Sequence, residues 1–392
     1  MSEQSEPATP RLSVAVARTK EELEEVSRLR YRVSVEEMGN RQSAAANHAA
    51  RTMTDDIDRL ATILYLTDGK DIVATVRAIR ADVGAKTKYA HFYPLDGMAE
   101  VKREEISFTS NLVIAPEWRG TRALGHLLHA VYKSARRQGV WLDFIHCRPP
   151  LVALYEVMGY RRFGPGVLET EVGLRIPMAL VADDVAYLTK VRSPFARLAS
   201  QFNNEPSHGA WFATRFAEYS EPSCARLMGA DEFWGYITQR IHVDDHPLLR
   251  GLSEQEVKAV LGAGTVLRVQ AGGGVVRRGD PGNDMYLVLS GILEVRATTA
   301  AAGPSHVIET LGKGQVFGEM SFLSNQPRTA DVVAVADSEV LTLTRDLFER
   351  LTRTAPAAAS RLLMNLSVSL VERVQQTTRA LVEAKEELAA LR

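Results

Sequence analysis

Phe317-Gly318-Glu319-Met320-Ser321-Phe322-Leu323-Ser324-Asn325-Gln326-Pro327-Arg328-Thr329-Ala330 is the stretch that decides the architecture of the C-terminal half. Gly318 has no Cβ, so backbone there can approach an anion closely. The residues after it read as one helical turn, and its unpaired N–H groups favour negative charge. Glu319 is placed to accept a hydrogen bond from a sugar hydroxyl. Arg328 presents a planar fork that matches a phosphate in bidentate fashion, and Thr329 adds a hydroxyl beside it. Gly318, Glu319, Met320, Ser321, Arg328 and Thr329 are therefore the expected contacts of a small phosphorylated ring.

Working outward, two apolar runs, Met285-Tyr286-Leu287-Val288-Leu289 and Ile292-Leu293-Glu294-Val295, flank a Ser290-Gly291 turn signal and read as a hairpin. A glycine-bounded turn, Leu311-Gly312-Lys313-Gly314-Gln315, leads into the quoted stretch. Ser253 reads as an N-cap before Glu254 and Glu256. Across residues 246–375 this order resembles cyclic-nucleotide-binding domains, whose essential carboxylate and arginine fall on Glu319 and Arg328. The resemblance implies a β-roll with helices that takes cAMP, with cGMP as the alternative because a hydroxyl follows the arginine.

The chain has 392 residues and a formal net charge of −1. That length suits two domains with a connector, and the balanced charge argues against nucleic acid as a partner. Two cysteines, Cys147 and Cys224, cannot build a disulfide framework, which suits a reducing cytoplasm. Residues 1–10 read as a disordered tail; they lack the basic start and apolar core of a signal peptide. No 18-residue apolar run occurs, so no membrane span is expected. His242-Val243-Asp244-Asp245-His246 has metal-like spacing but no further ligand cluster, so no metal is expected.

Residues 11–183 alternate strand-like and helix-like patterns, as a mixed sheet with flanking helices does. Glu105 to Ile114 reads as a strand. A loop carrying Arg119-Gly120-Thr121-Arg122 follows, and then a helix with an apolar stripe of Leu124, Leu127, Leu128, Val131 and Tyr132. Loop N–H groups and two arginines make a seat for a pyrophosphate or phosphopantetheine. Downstream, Leu151 to Phe163 ends a helix in Tyr155-x-x-x-Gly159-Tyr160. Together these segments resemble GNAT-type N-acyltransferases. Arg122 and Leu124 replace glycines of that motif, which suits an acyl-carrier-protein donor or a modified pocket. A narrower resemblance, to acyl-homoserine-lactone synthases and N-acyl amino acid synthases, rests on the order Arg30 or Arg32, Asp55 with Asp58, Arg77, and Glu105 with Ser107. Phe108 stands where the lactone synthases have arginine.

That resemblance implies roles. Glu105, expected mid-strand beside the donor groove, would be the general base. Tyr155 would protonate the leaving sulfur. Backbone at Val113 and Ile114 would pair with the pantetheine arm, and Arg119, Gly120, Thr121 and Arg122 would hold its phosphate. Arg32, Asp55, Asp58 and Arg77 would form an acceptor-binding network or a structural ion-pair cluster. The aromatic-rich segment 184–245 is too apolar for a flexible linker and reads as helices. Leu370, Val374, Thr377, Leu381, Ala384, Leu388 and Leu391 follow heptad spacing, which reads as a C-terminal helix over 376–392 that dimerises or, alternatively, folds back on its own domain. The expectation is a cytoplasmic N-acyltransferase of bacterial type, gated by cAMP, that uses an acyl-carrier-protein or CoA thioester to acylate a small amine. The alternatives are a protein-lysine acetyltransferase under the same switch, or a non-catalytic nucleotide sensor.

Overall fold

The computed structural model describes residues 12–41, 43–84, 93, 95–169, 173–219, 223–280, 282–297 and 305–390. The tail 1–10 and Leu391 lie outside them. The chain forms two compact units that divide between Glu221 and Pro222.

The first unit is built on strands β1 (Ser13–Val16), β2 (Ala46–Asn47), β3 (Thr52–Met53), β4 (Thr62–Thr67), β5 (Ile72–Arg80), β6 (Ile106–Ile114), β7 (Leu142–Cys147), β8 (Tyr160–Arg162), β9 (Val167–Glu169) and β10 (Gly173–Val181). The main sheet has the order β1-β4-β5-β6-β7-β10-β8, with β9 on β10, and β2–β3 is a separate short ladder. The β6–β7 pair is parallel and the other pairs in the main sheet are antiparallel. Thr19 opens the helix Lys20–Tyr31 with a capping box to Glu22. That helix runs into a π-helical turn, Arg32–Glu37.

Alternation along the strands separates two apolar faces. On one, the helix Ala123–Arg137 sets Leu127 and Val131 against Leu64, Leu66, Ala74 and Val76. On the other, Phe108, Phe144, Tyr93 and Phe163 pack with Phe212 and Phe216. Each such buried side chain is worth about 1.5–3 kcal/mol. The aromatic segment is thus divided between the units. Phe212 and Phe216 belong to this core, whereas Phe233, Ile237 and Ile241 belong to the core of the second unit.

The second unit has strands β11 (Thr265–Val269), β12 (Gly274–Val276), β13 (Met285–Ser290), β14 (Leu293–Ala297), β15 (His306–Leu311), β16 (Val316–Phe317), β17 (Asp331–Ala334) and β18 (Ser338–Leu343). They form two four-stranded sheets, β11-β18-β13-β16 and β12-β17-β14-β15. The expected hairpin across Ser290-Gly291 is corrected: β13 and β14 lie in different sheets, and Gly291 turns the corner between them. Its φ is +87°, and a Cβ there would sit 2.2 Å from Ser338 Oγ. Ser253 caps the helix Glu254–Gly262 in a capping box with Glu256. Leu287, Leu289 and Leu341 of the first sheet pack with Leu347 and Leu351 of the helix Arg345–Thr354, and with Leu362 and Leu366 of the helix Pro356–Ala390. On the expected heptad seam, Val374 is 63% exposed and Leu381 55%. Among the described residues no helix is long and apolar enough to cross a membrane.

Candidate functional sites

In the first unit the parallel strands make a fork. β6 and β7 pair at Ile106–Leu142, Ser107–Asp143 and Phe108–Phe144, and no further, although both strands continue. On its other side β6 carries a bulge: Thr75 faces Val113 and Arg77 faces Ser110, so Asn111 and Leu112 share Val76 as partner. Asn111 takes a left-handed φ of +50° to allow it. A bulge bends its strand, and this one bends β6 just where its pairing with β7 has ended. The fork leaves strand edges able to pair with an extended ligand.

At the far end of β6 lies the predicted donor loop. Gly120 adopts φ +73° there. Thr121 is spent on local structure: its Oγ1 donates to Trp118 O at 2.7 Å and accepts from Ala123 N at 3.1 Å. Arg119 grips Glu37 through two nitrogens at 2.5 and 2.8 Å and donates to the carbonyl of Ile114 at 3.2 Å. Arg122 is exposed at the start of the helix Ala123–Arg137. Val113 and Ile114 are half-buried at the end of β6.

Glu105 is not mid-strand, which corrects the sequence expectation. It ends a 3-10 turn, Arg103–Glu105, ahead of β6 and at the paired end of the fork. Its carbonyl accepts from Trp141 N at 3.0 Å and its Oε2 from Trp141 Nε1 at 3.2 Å. Tyr155 sits on the helix Val152–Met158, buried, with its ring edge-on to Tyr160 at 5.3 Å. Burial pushes its hydroxyl well above the usual range, so it stays protonated.

Sequence reading missed Asp143. This carboxylate on β7 is buried and accepts from Ser107 Oγ at 2.5 Å, Thr109 Oγ1 at 2.9 Å and Tyr160 OH at 2.6 Å. Burial raises it to about 6, against the lowering effect of the three hydroxyls. A lone acid inside an apolar strand was the available signal.

The acidic pair and the strand arginine do come together. Arg77 donates to Asp55, to Asp58 at 2.9 Å and to Ser110 at 3.0 Å. Arg30, not Arg32, completes the group, with one nitrogen 2.9 Å from both oxygens of Asp58. Arg30 and Arg77 are both almost wholly buried. Burial lowers Arg30 from its ordinary value. Burial raises Asp58, but Arg30 and Arg77 outweigh it and hold the carboxyl below its usual range. Asp55 also caps the 3-10 turn Asp56–Arg59 in a box with Asp58. Arg32 lies elsewhere, half-exposed and 3.7 Å from Glu117 beside the donor loop.

In the second unit the quoted stretch folds as read. Gly318 has φ +81°, and a Cβ there would come within 2.8 Å of Arg328 Nη1. It starts the helix Glu319–Ser324. Arg328 is buried and donates from Nη1 to Asp284 O at 2.7 Å and Gly318 O at 3.2 Å. Ser321 is buried and Met320 is 51% exposed. Thr329 Oγ1 lies 3.8 Å from Met320 Sδ. Among the described residues Glu319 pairs not with Arg328 but with Arg373, at 2.7 Å. Arg373, on the helix Pro356–Ala390, also reaches Glu309 at 3.1 Å and Val316 O at 3.2 Å. Nothing in the local sequence singles out Arg373; helix phase brings it to the cassette.

Comparison with known proteins follows this division. Residues 25–182 match the family model described as N-acyl amino acid synthase FeeM, and residues 266–355 match that of the cyclic nucleotide-binding domain. The cyclic AMP receptor protein of Thermus thermophilus is 35% identical over 33% of this chain and 58% of its own length. A cAMP-dependent protein kinase regulatory subunit of Yarrowia lipolytica is 38% identical over 27% of each chain. The solved Thermus thermophilus catabolite activator protein is 33% identical, over 34% of this chain and 61% of that one, with a TM-score of 0.32. The chain therefore spans less than two thirds of these relatives. It joins a domain of the N-acyl amino acid synthase FeeM family to a cyclic nucleotide-binding domain.

Proposed function

We propose that the protein is an N-acyltransferase regulated by a cyclic nucleotide, moving an acyl group from an acyl-carrier-protein or CoA thioester to an amine. The observation that carries this reading is the fork between β6 and β7, with Tyr155 in electrostatic reach of Asp143 on β7, in one chain with an intact glutamate–arginine cassette. The pantetheine arm pairs with the free edge of β6 near Val113 and Ile114. Its phosphate meets Arg119, Gly120 and Arg122, and competes with Glu37 for the Arg119 guanidinium. A neutral amine attacks the carbonyl carbon, and Tyr155 protonates the departing sulfur. The acceptor contacts run through Arg30, Asp55, Asp58 and Arg77, whose charges cancel and whose packing makes them a rigid wall.

In the second unit, cAMP places its phosphate on Arg328 and the Gly318 turn, and its ribose on Glu319. The ribose contact draws on a carboxylate that Arg373 already holds, so binding bears on the long C-terminal helix. A coupling of about 1–3 kcal/mol is enough to gate transfer. The exposed Val374 and Leu381 of that helix suit a homodimer.

The test is to incubate the purified chain with acyl-carrier-protein and acyl-CoA thioesters and a panel of amines, with and without cAMP, and to identify products by mass spectrometry. N-acyl product whose rate changes with cAMP is the expected result. Lysine acetylation from acetyl-CoA alone moves the reading to a protein acetyltransferase, and no turnover of any thioester ends the enzyme reading.

A further inference from the structure

Glu105 lies at the closed end of the fork, with its carboxylate accepting from Trp141, away from the point where the strands part. One buried carboxylate stands at the root of the opening instead. Asp143 belongs to the second of the three paired positions of β6 and β7. Thr109, which donates to it, is the first residue of β6 past the last pair, where the strands part. Tyr160, on β8, lies across β10 in register with Asp143, since both face Leu180. Two strands therefore converge three hydroxyls on one carboxylate: Ser107 and Thr109 from β6, and Tyr160 from β8. Burying an unpaired charge is costly, and no arginine or lysine forms an ion pair with Asp143 among the described residues. Tyr155, from the helix Val152–Met158, interacts electrostatically with Asp143 and with Cys147 of β7, and Tyr93 acts in the same way on Tyr160.

Resting on the acyl-transfer reading above, we propose that Asp143 is the proton acceptor of this site and that Thr109 relays the proton to it from the mouth of the fork. In the step, the amine nitrogen bonds to the thioester carbonyl carbon. The amine proton passes to Thr109 Oγ1 while the Thr109 proton passes to Asp143. The carbon–sulfur bond then breaks, and the sulfur takes a proton from the Tyr155 hydroxyl. Asp143 gives its proton to solvent and Tyr155 regains one, leaving amide and thiol. Thr109 touches the amine and is catalytic; Asp143 acts through it and is a positioning residue. The raised affinity of Asp143 for a proton, about 6, suits an acceptor that must empty again near neutrality.

The experiment compares wild type with Asp143→Asn, Thr109→Val and Thr109→Ser, using the donor and amine that wild type turns over. The wild-type profile of kcat/KM against pH has an ascending limb near 6. Asp143→Asn loses that limb, and kcat falls about 100-fold with little change in KM. Thr109→Val falls in the same direction, and Thr109→Ser returns to near the wild-type rate. Infrared pH titration adds a readout that needs no turnover: a carboxyl band titrating between about pH 5 and 7, absent in Asp143→Asn. If folded Asp143→Asn keeps the limb and a kcat within a few fold of wild type, or if no such band titrates, the relay is wrong. No turnover by wild type with any donor removes the acyl-transfer reading itself. An active wild type with unaffected variants removes the relay alone.

Discussion

The nucleotide cassette and the acyl fork are built in opposite ways. From Gly318 to Thr329 the expected ligand contacts lie in one short run of chain, which a left-handed glycine opens. The fork draws on β6, β7, β8 and a helix, and its key carboxylate gains its partners from strands 36 residues upstream and 17 downstream. A contiguous site survives distant change, because its geometry is local. An assembled site inherits every error in the packing around it.

Four measurements would break or sharpen this contrast. Arg77→Ala has the largest expected effect. It removes one partner from a buried ion cluster, so urea unfolding should show a loss of about 3–5 kcal/mol, while a cassette built locally in the other unit keeps its cAMP affinity. The second concerns Asp143 and pH. A carboxyl whose folded-state value is raised makes the native state hold its proton longer, so its contribution to stability is fullest below the unfolded value and falls as pH rises. Moving from 3.8 to about 6 corresponds to roughly 3 kcal/mol lost across that window and constant above it. Unfolding at pH 4 and pH 7 should therefore show Asp143→Asn gaining on wild type at the higher pH by about that amount; a pH-independent difference contradicts the raised carboxyl.

Third, Arg328→Ala should weaken cAMP binding by about 1.5–3 kcal/mol, read by calorimetry, because a charge-assisted contact to the phosphate is lost. Unchanged binding heat would remove the cassette assignment. Smallest is Arg373→Ala. It frees Glu319 for the ribose hydroxyl, and affinity for cAMP should rise by about 1 kcal/mol. A fall instead would make Arg373 part of the ligand site, and the cassette would then be less local than its sequence suggests.

How much was legible follows the same line. Ser253 and Gly318 were readable because a cap or a left-handed turn is decided within four residues. The Ser290-Gly291 hairpin was misread for the opposite reason: both flanking runs find better partners far along the chain, β18 for one and β17 for the other. Arg30 and Arg32 could not be told apart because the helix passes into a π turn at Arg32, which changes the phase that would have separated inward from outward. Glu105 was expected mid-strand as the general base, yet the strand begins one residue later and the turn before it aims the side chain at Trp141.

From the amino acids alone came the two-part architecture, the cassette with its glutamate and arginine, and the helix and strand boundaries that capping and turn chemistry dictate, because these depend on neighbours along the chain. Tertiary structure alone decided which carboxylate sits at the fork, which arginine joins Asp58, and which helical residue holds Glu319. Those outcomes depend on strand register and helix phase, where a shift of one residue turns a side chain to the opposite face.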